Sequence, residues 1–221
     1  MAEMVLFTAN GGTTEGYLAR PAQKDAAGVV VIQEWWGLND HIKEVADRYA
    51  REAFLAMAPD LYHGSVTKSP DEAGKLMMAL NIERAEKDLR GSVAHVKALT
   101  GRPVGIVGFC MGGTLSLFAA CVNGADVSAC VVYYGGHLAV KNDFDRLQAP
   151  VLGHWAEHDD WANANASVIE RELKQRGKPY EFHTYPGTKH AFFNDERPEV
   201  YDAAAAELSL SRTLAFFRKH V

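Results

Sequence analysis

The segment Pro103–Val104–Gly105–Ile106–Val107 passes without a break through Gly108–Phe109–Cys110–Met111–Gly112–Gly113 into Thr114–Leu115–Ser116–Leu117–Phe118–Ala119–Ala120. An apolar, β-branched run that turns into a helix-forming run within five residues requires a sharp strand–turn–helix, and the glycines at 108 and 112 leave room for one. The side chain at the apex, Cys110, is then forced into strained backbone geometry and projects from the edge of a sheet. The same turn aims the N-terminus of the next helix at the sulfur, a setting that suits a thiolate nucleophile. An isolated cysteine is more often a buried structural residue; here the glycines and the strand–helix context argue for the nucleophile.

Around this segment strands and helices alternate, which predicts an α/β chain with a mostly parallel sheet covered on both faces. Met4–Thr8 and Thr14–Arg20, separated by Asn10–Gly11–Gly12, read as an N-terminal hairpin, and Gly28–Gln33 as a fully buried strand. Asp40 is expected to cap a helix running to about Phe54, with Ile42, Val45, Ala46 and Tyr49 at helical spacing. A short strand at Leu55–Pro59, a loop over Leu61–Ser69, and helices at Pro70–Leu80 and Ile82–Leu99 lead to the turn. Beyond it come a helix to about Val122, strands at Val127–Tyr134, Val151–Trp155 and Tyr180–Tyr185, and helices over about Asn163–Arg176 and Val200–Lys219.

Nothing in the 221 residues suggests a linker, so residues 1–221 are expected to form one domain. A chain of this length buries roughly 70% of its unfolded surface and needs neither disulfide nor metal to fold. The formal charge of −5 offers no electrostatic footprint for nucleic acid or an anionic membrane. Met1–Ala2–Glu3–Met4 has no basic region followed by an apolar stretch, and no apolar run approaches the ~20 residues of a membrane span. Of three cysteines, Cys121 falls in a helix and Cys130 in a strand, both read as reduced core residues, so a cytoplasmic location is expected. A monomer or small homo-oligomer is expected, with no cofactor.

A nucleophile at Cys110 calls for an acid and then a histidine further along the chain, in loops at the carboxyl ends of later strands. After Val151–Trp155 comes Ala156–Glu157–His158–Asp159–Asp160–Trp161; after Tyr180–Tyr185 comes Pro186–Gly187–Thr188–Lys189–His190–Ala191–Phe192–Phe193. Asp159 and His190 are the best acid and base, with Asp160 and Glu157 as competitors for the acid. Glu34 ends the buried strand Gly28–Gln33 and precedes Trp35–Trp36–Gly37, which places a carboxylate near the thiol. The backbone N–H groups of Trp35 and Met111 are the expected oxyanion donors. Trp36, Tyr134 and Phe192 lie at strand ends and are expected to wall the substrate pocket.

Together these residues resemble the dienelactone hydrolases (carboxymethylenebutenolidases), small α/β-hydrolases with a cysteine nucleophile. The resemblance rests on Gln33–Glu34–Trp35–Trp36–Gly37–Leu38, Ala58–Pro59–Asp60–Leu61–Tyr62, Gly108–Phe109–Cys110–Met111–Gly112–Gly113, Tyr133–Tyr134–Gly135 and Gly187–Thr188–Lys189–His190–Ala191–Phe192. It implies the α/β-hydrolase fold, with a central sheet of about eight strands, and a triad of Cys110, Asp159 and His190. It also implies that Glu34 takes the thiol proton as substrate binds, from a cysteine that rests turned away from the histidine. The family holds a substrate carboxylate with arginines, one of them four residues past the histidine; that position is Asn194 here.

A thiolate is a strong nucleophile and a good leaving group, so enol, aryl and strained lactone oxygens should be displaced while simple alkoxides mostly are not. Hydrolysis of activated esters or lactones is the expected activity. An acyl-thioesterase or general aryl esterase is the chemically adjacent reading, and a catalytically silent binding protein using the same cleft is the other. A metal site among His154, His158, Asp159, Asp160 and His190 is disfavoured because no close-spaced ligand motif occurs. A redox role for Cys110 lacks a Cys-x-x-Cys partner.

Overall fold

Alternation of buried strands with amphipathic helices dictates the frame. The computed structural model describes residues 2–221. The chain opens with the antiparallel pair β1 (Ala2–Ala9) and β2 (Gly12–Ala19), followed by β3 (Ala27–Ile32), α1 (Asp40–Arg51), β4 (Phe54–Pro59), α2 (Pro70–Ala79) and α3 (Ile82–Thr100). The second half runs β5 (Val104–Phe109), α4 (Met111–Asn123), β6 (Val127–Tyr133), β7 (Val151–His158), α5 (Asp160–Gln175), β8 (Tyr180–Lys189) and α6 (Ala203–His220). The strands form one eight-stranded sheet in the order β1-β2-β4-β3-β5-β6-β7-β8. Pairing is antiparallel among β1, β2 and β4 and parallel from β4 to β8.

The central strands β3, β4 and β5 are buried almost along their whole length, which accounts for their continuous apolar runs. Glycines on β5 show how both faces are covered. A Cβ on Gly105 would come within 2.7 Å of the Phe217 ring on α6, whereas one on Gly108, three residues on and so on the opposite face, would meet Gly112 of α4. On the α6 face, Tyr49 of α1, Phe54 and Phe217 form a trio of edge-on aromatic contacts with centroids 5.9–6.5 Å apart.

Differences from the sequence reading lie at element ends. Asn39, not Asp40, caps α1, its side-chain oxygen accepting from Ile42 N–H at 3.2 Å. The helix stops at Arg51 because Ala53, at φ 72°, turns the chain into β4. Helix α5 begins three residues earlier than Asn163, since Asp159 caps it by accepting from Ala162 N–H at 3.1 Å. Asp202 does the same for α6, starting it at Ala203 rather than Val200. Strands β7 and β8 continue past Trp155 and Tyr185 to His158 and Lys189, with a register shift between Ala156 and His158. His190 therefore follows a strand directly instead of sitting in a free loop.

Candidate active site

The site is built at the carboxyl ends of β3, β5, β6, β7 and β8. Cys110 sits between β5 and α4 at φ 55° and ψ −117°, a conformation that costs a non-glycine residue about 1–3 kcal/mol and persists only when its surroundings enforce it. The enforcement is visible. Cys110 N–H donates to Tyr133 O at 3.1 Å, and its carbonyl accepts from Gly113 and Thr114 N–H at 3.0 and 3.3 Å. The start of α4 is pressed onto the sheet so closely that a Cβ on Gly112 would stand 2.3 and 2.4 Å from the carbonyls of Ile32 and Gln33, and one on Gly108 1.9 Å from Gly112 O. Only glycine fits at either place. Met111 opens α4, so its N–H has no carbonyl one turn earlier to bond, and the Tyr62 hydroxyl reaches its sulfur at 3.2 Å.

His190 brings the acid and the thiol together. Its Nδ1 lies 2.5 Å from Asp159 Oδ2, and the ring lines the same cavity as Cys110, whose thiol interacts with it electrostatically. Asp159 is almost fully buried and divided between two tasks, Oδ2 on the imidazole and Oδ1 capping α5. Asp160 and Glu157 are exposed, and Glu157 accepts from Gly187 N–H instead. Burial works against the charged imidazole, but the hydrogen bond to Asp159 and attraction to Asp159 and Cys110 outweigh it, and the His190 pKa is raised to about 10.

Glu34 is buried beside the thiol. Its Oε2 accepts from Asn194 Nδ2 at 2.7 Å and its Oε1 from the Tyr134 hydroxyl at 3.4 Å. Both partners are neutral. Asn194 thus fills the place at which the resemblance implies an arginine and holds the carboxylate by its amide. The segment carrying it is clamped from α1, where His41 Nδ1 lies 3.0 Å from Asp195 and Arg48 pairs with the same carboxylate.

Glu34, Trp35, Trp36, Met77, Cys110, Trp161, His190, Ala191 and Arg197 line a cavity of about 260 Å³. Its wall is largely apolar, and Arg197 brings a cation, its guanidinium 5.6 Å over the Trp36 ring. The structure thus places Glu34, Trp35, Trp36, Cys110 and His190 around one space. Tyr134 and Phe192, expected on that wall, are fully buried. The Tyr134 ring packs 5.1 Å from His190 and 5.4 Å from Phe192, so Tyr134 backs the histidine and Phe192 backs Tyr134. The strand-end rule located them correctly along the chain but could not tell which way the rings turn. Met77, Trp161 and Arg197 on the wall, and the amide of Asn194, were not singled out in this role. The one signal for Trp161 was its position two residues after a capping aspartate.

His154, considered above as a metal ligand, is fully buried with Nδ1 2.8 Å from the Tyr185 hydroxyl and Nε2 2.9 Å from Thr213 Oγ1. Both nitrogens are engaged away from the cavity. Burial pushes the thiol of Cys121 up to about 12 and that of Cys130 higher still.

The model of the dienelactone hydrolase family matches residues 14–221. Over the full length of both chains, the sequence is 36% identical to "Protein usf" of Aquifex pyrophilus and 33% identical to the "Putative carboxymethylenebutenolidase" of Aquifex aeolicus (strain VF5). The crystal structure of a "Putative Dienelactone Hydrolase" from Klebsiella pneumoniae subsp. pneumoniae superposes with a TM-score of 0.88 at 26% identity, covering 99% of this chain and 98% of that one.

Proposed function

The chain belongs to the dienelactone hydrolase family, and on that premise we propose that it hydrolyses activated carboxylic esters and lactones through an acyl-enzyme on Cys110. One observation carries the reading: a single imidazole, His190, is hydrogen-bonded to the buried Asp159 carboxylate and shares with Cys110 the wall of one cavity.

The sulfur, having given its proton to His190, attacks the substrate carbonyl; a C–S bond forms and the C=O electron pair moves onto oxygen. The N–H groups of Met111 and Trp35 receive that oxyanion, helped by the N-terminus of α4. The adduct then breaks its C–O bond, and the leaving oxygen departs with the electron pair and takes the His190 proton. In a lactone it remains tethered to the acyl group. Neutral His190, oriented by Asp159, next removes a proton from water as it attacks the thioester, and collapse returns the thiolate and the imidazolium. Glu34 is the second acceptor for the thiol proton, held ready by Asn194 and Tyr134. Arg197, the cation on the cavity wall, pairs with the exposed Glu199 and would exchange that partner for an anionic substituent of the substrate.

Because thiolate leaves better than a simple alkoxide, the intermediate from an alkyl ester mostly reverts. A panel of enol-lactones, aryl esters, ethyl esters and acyl thioesters tests this. Rapid turnover is expected for the first two and slow turnover for ethyl esters, with a covalent acyl adduct detectable by intact mass and absent in Cys110→Ala. Ethyl esters cleaved as readily as aryl esters would refute the leaving-group argument, and turnover retained in Cys110→Ala would remove the acyl-enzyme.

A further inference from the structure

Trp161 is 44% exposed in the first turn of α5, and a lone exposed tryptophan ordinarily needs no explanation. This one is fixed in place. Its ring lies on Gly136 so closely that a Cβ there would come within 2.1–2.3 Å of three indole carbons. The shelf beneath it is tied down: Gly136 O accepts from Thr114 Oγ1 at 2.6 Å and from Asn165 Nδ2 at 2.9 Å, and Gly135 O accepts from the same amide at 2.9 Å. The indole stands edge-on to His190, with centroids 5.6 Å apart, and lines the cavity that contains Cys110. A rigid aromatic surface left open beside the proton donor of the reaction is placed to hold whatever that donor protonates.

The direction follows from the sheet order. The oxyanion donors Trp35 and Met111 follow β3 and β5, while Asp159, Trp161 and His190 come from the ends of β7 and β8, on the other side of Cys110. An acyl carbon bonded to the sulfur, with its oxygen toward Trp35 and Met111, presents its leaving oxygen toward His190 and therefore toward Trp161. We infer that Trp161 is the specificity-determining platform for the leaving half of the substrate and selects planar unsaturated or aromatic groups there. This rests on the acyl-enzyme reading above. It assigns shape selection to the leaving group in addition to the acidity selection imposed by the thiol.

The test separates shape from acidity. Two acetates are compared, an aryl ester and a fluorinated alkyl ester whose alcohol matches the phenol in acidity, so that acyl group and leaving ability are shared. Stacking contacts favour the aryl ester by about 3- to 10-fold in kcat/KM in the wild-type protein. Trp161→Leu should bring the ratio to near one, and Trp161→Phe should restore most of it. A wild-type ratio of one, or a ratio unchanged in Trp161→Leu, overturns the inference while leaving the acyl-enzyme standing. Failure to turn over either ester overturns both. Product inhibition supplies a measurement without any substitution: the free phenol should inhibit the wild-type protein several-fold more strongly than the matched fluorinated alcohol, and equal inhibition counts against the platform.

Discussion

His154 and His190 belong to the same half of the sheet, one in the middle of β7 and the other immediately after β8, both largely enclosed by protein. Their chemistry is opposite. His154 is held by two neutral hydroxyls, and burial, with His183 and Arg212 beside it, pushes its pKa well below the ordinary value. His190 also loses water, but the Asp159 carboxylate on Nδ1 and the Cys110 thiol nearby raise it to about 10. Burial alone therefore says little about what an imidazole does; the charge of its partners decides between a neutral strut and a proton carrier.

Substitutions at the charged pair carry the largest expected effects. His190→Ala should lower kcat/KM for an aryl ester by about 10⁴-fold, and Asp159→Asn by about 10²- to 10⁴-fold. Because asparagine caps a helix as well as aspartate does, Asp159→Asn should melt close to the wild-type temperature, isolating the charge from the fold. A D159N enzyme with full activity would break the contrast outright.

His154→Ala should act the other way round. It leaves Tyr185 and Thr213 with unmatched polar groups around a small void, an expected cost of about 2–4 kcal/mol in urea denaturation. The folded fraction should keep kcat/KM within a few-fold of wild type. A large catalytic loss there would mean that the two histidines are not the separate devices described.

The pH dependence of stability sharpens the comparison because the signs differ. His190 is raised from the ordinary 6.5 to about 10, so its contribution is complete below about pH 6.5 and is lost as pH rises toward 10. His154 is lowered, so the unfolded chain takes up a proton that the folded protein refuses, and stability falls as pH drops below about 6.5. One proton is worth at most about 1.4 kcal/mol per pH unit. Melting temperatures from pH 5 to 10 should show a shallower alkaline decline in His190→Gln and a shallower acid decline in His154→Gln.

The smallest effect concerns the thiols. Iodoacetamide should label the native protein once, at Cys110, and three times after unfolding, because burial holds the thiols of Cys121 and Cys130 protonated at neutral pH. Peptide mapping that finds Cys121 or Cys130 modified before Cys110 would contradict this.

The parts of the site legible in the sequence are those encoded by neighbours in the chain. Gly108 and Gly112 bracket Cys110 because a side chain at either would strike backbone, and such a requirement leaves its mark within a few residues. The continuous apolar run of β3 likewise announced a buried central strand ending at Glu34. Choosing Asp159 over Asp160 and Glu157 was harder, because one residue of register decides which carboxylate faces inward, and β7 shifts register between Ala156 and His158. Tyr134 and Phe192 were placed at the correct strand ends but on the wrong side of the wall, since ring orientation depends on the packing of residues from β5, β6 and β8 together.

By itself, then, the sequence determined the order of strands and helices, the elbow under Cys110 and the two strand ends that bring Asp159 and His190 together, all set by backbone sterics and short-range pattern. Tertiary structure alone decided that the surroundings of His190 favour its charged form and those of His154 its neutral form, that Asn194 holds Glu34, and that Trp161 and Arg197 share the thiol's cavity. Those outcomes depend on groups tens of residues apart meeting at distances of a few ångströms, where the sign and strength of an interaction follow from the partner and not from the residue type.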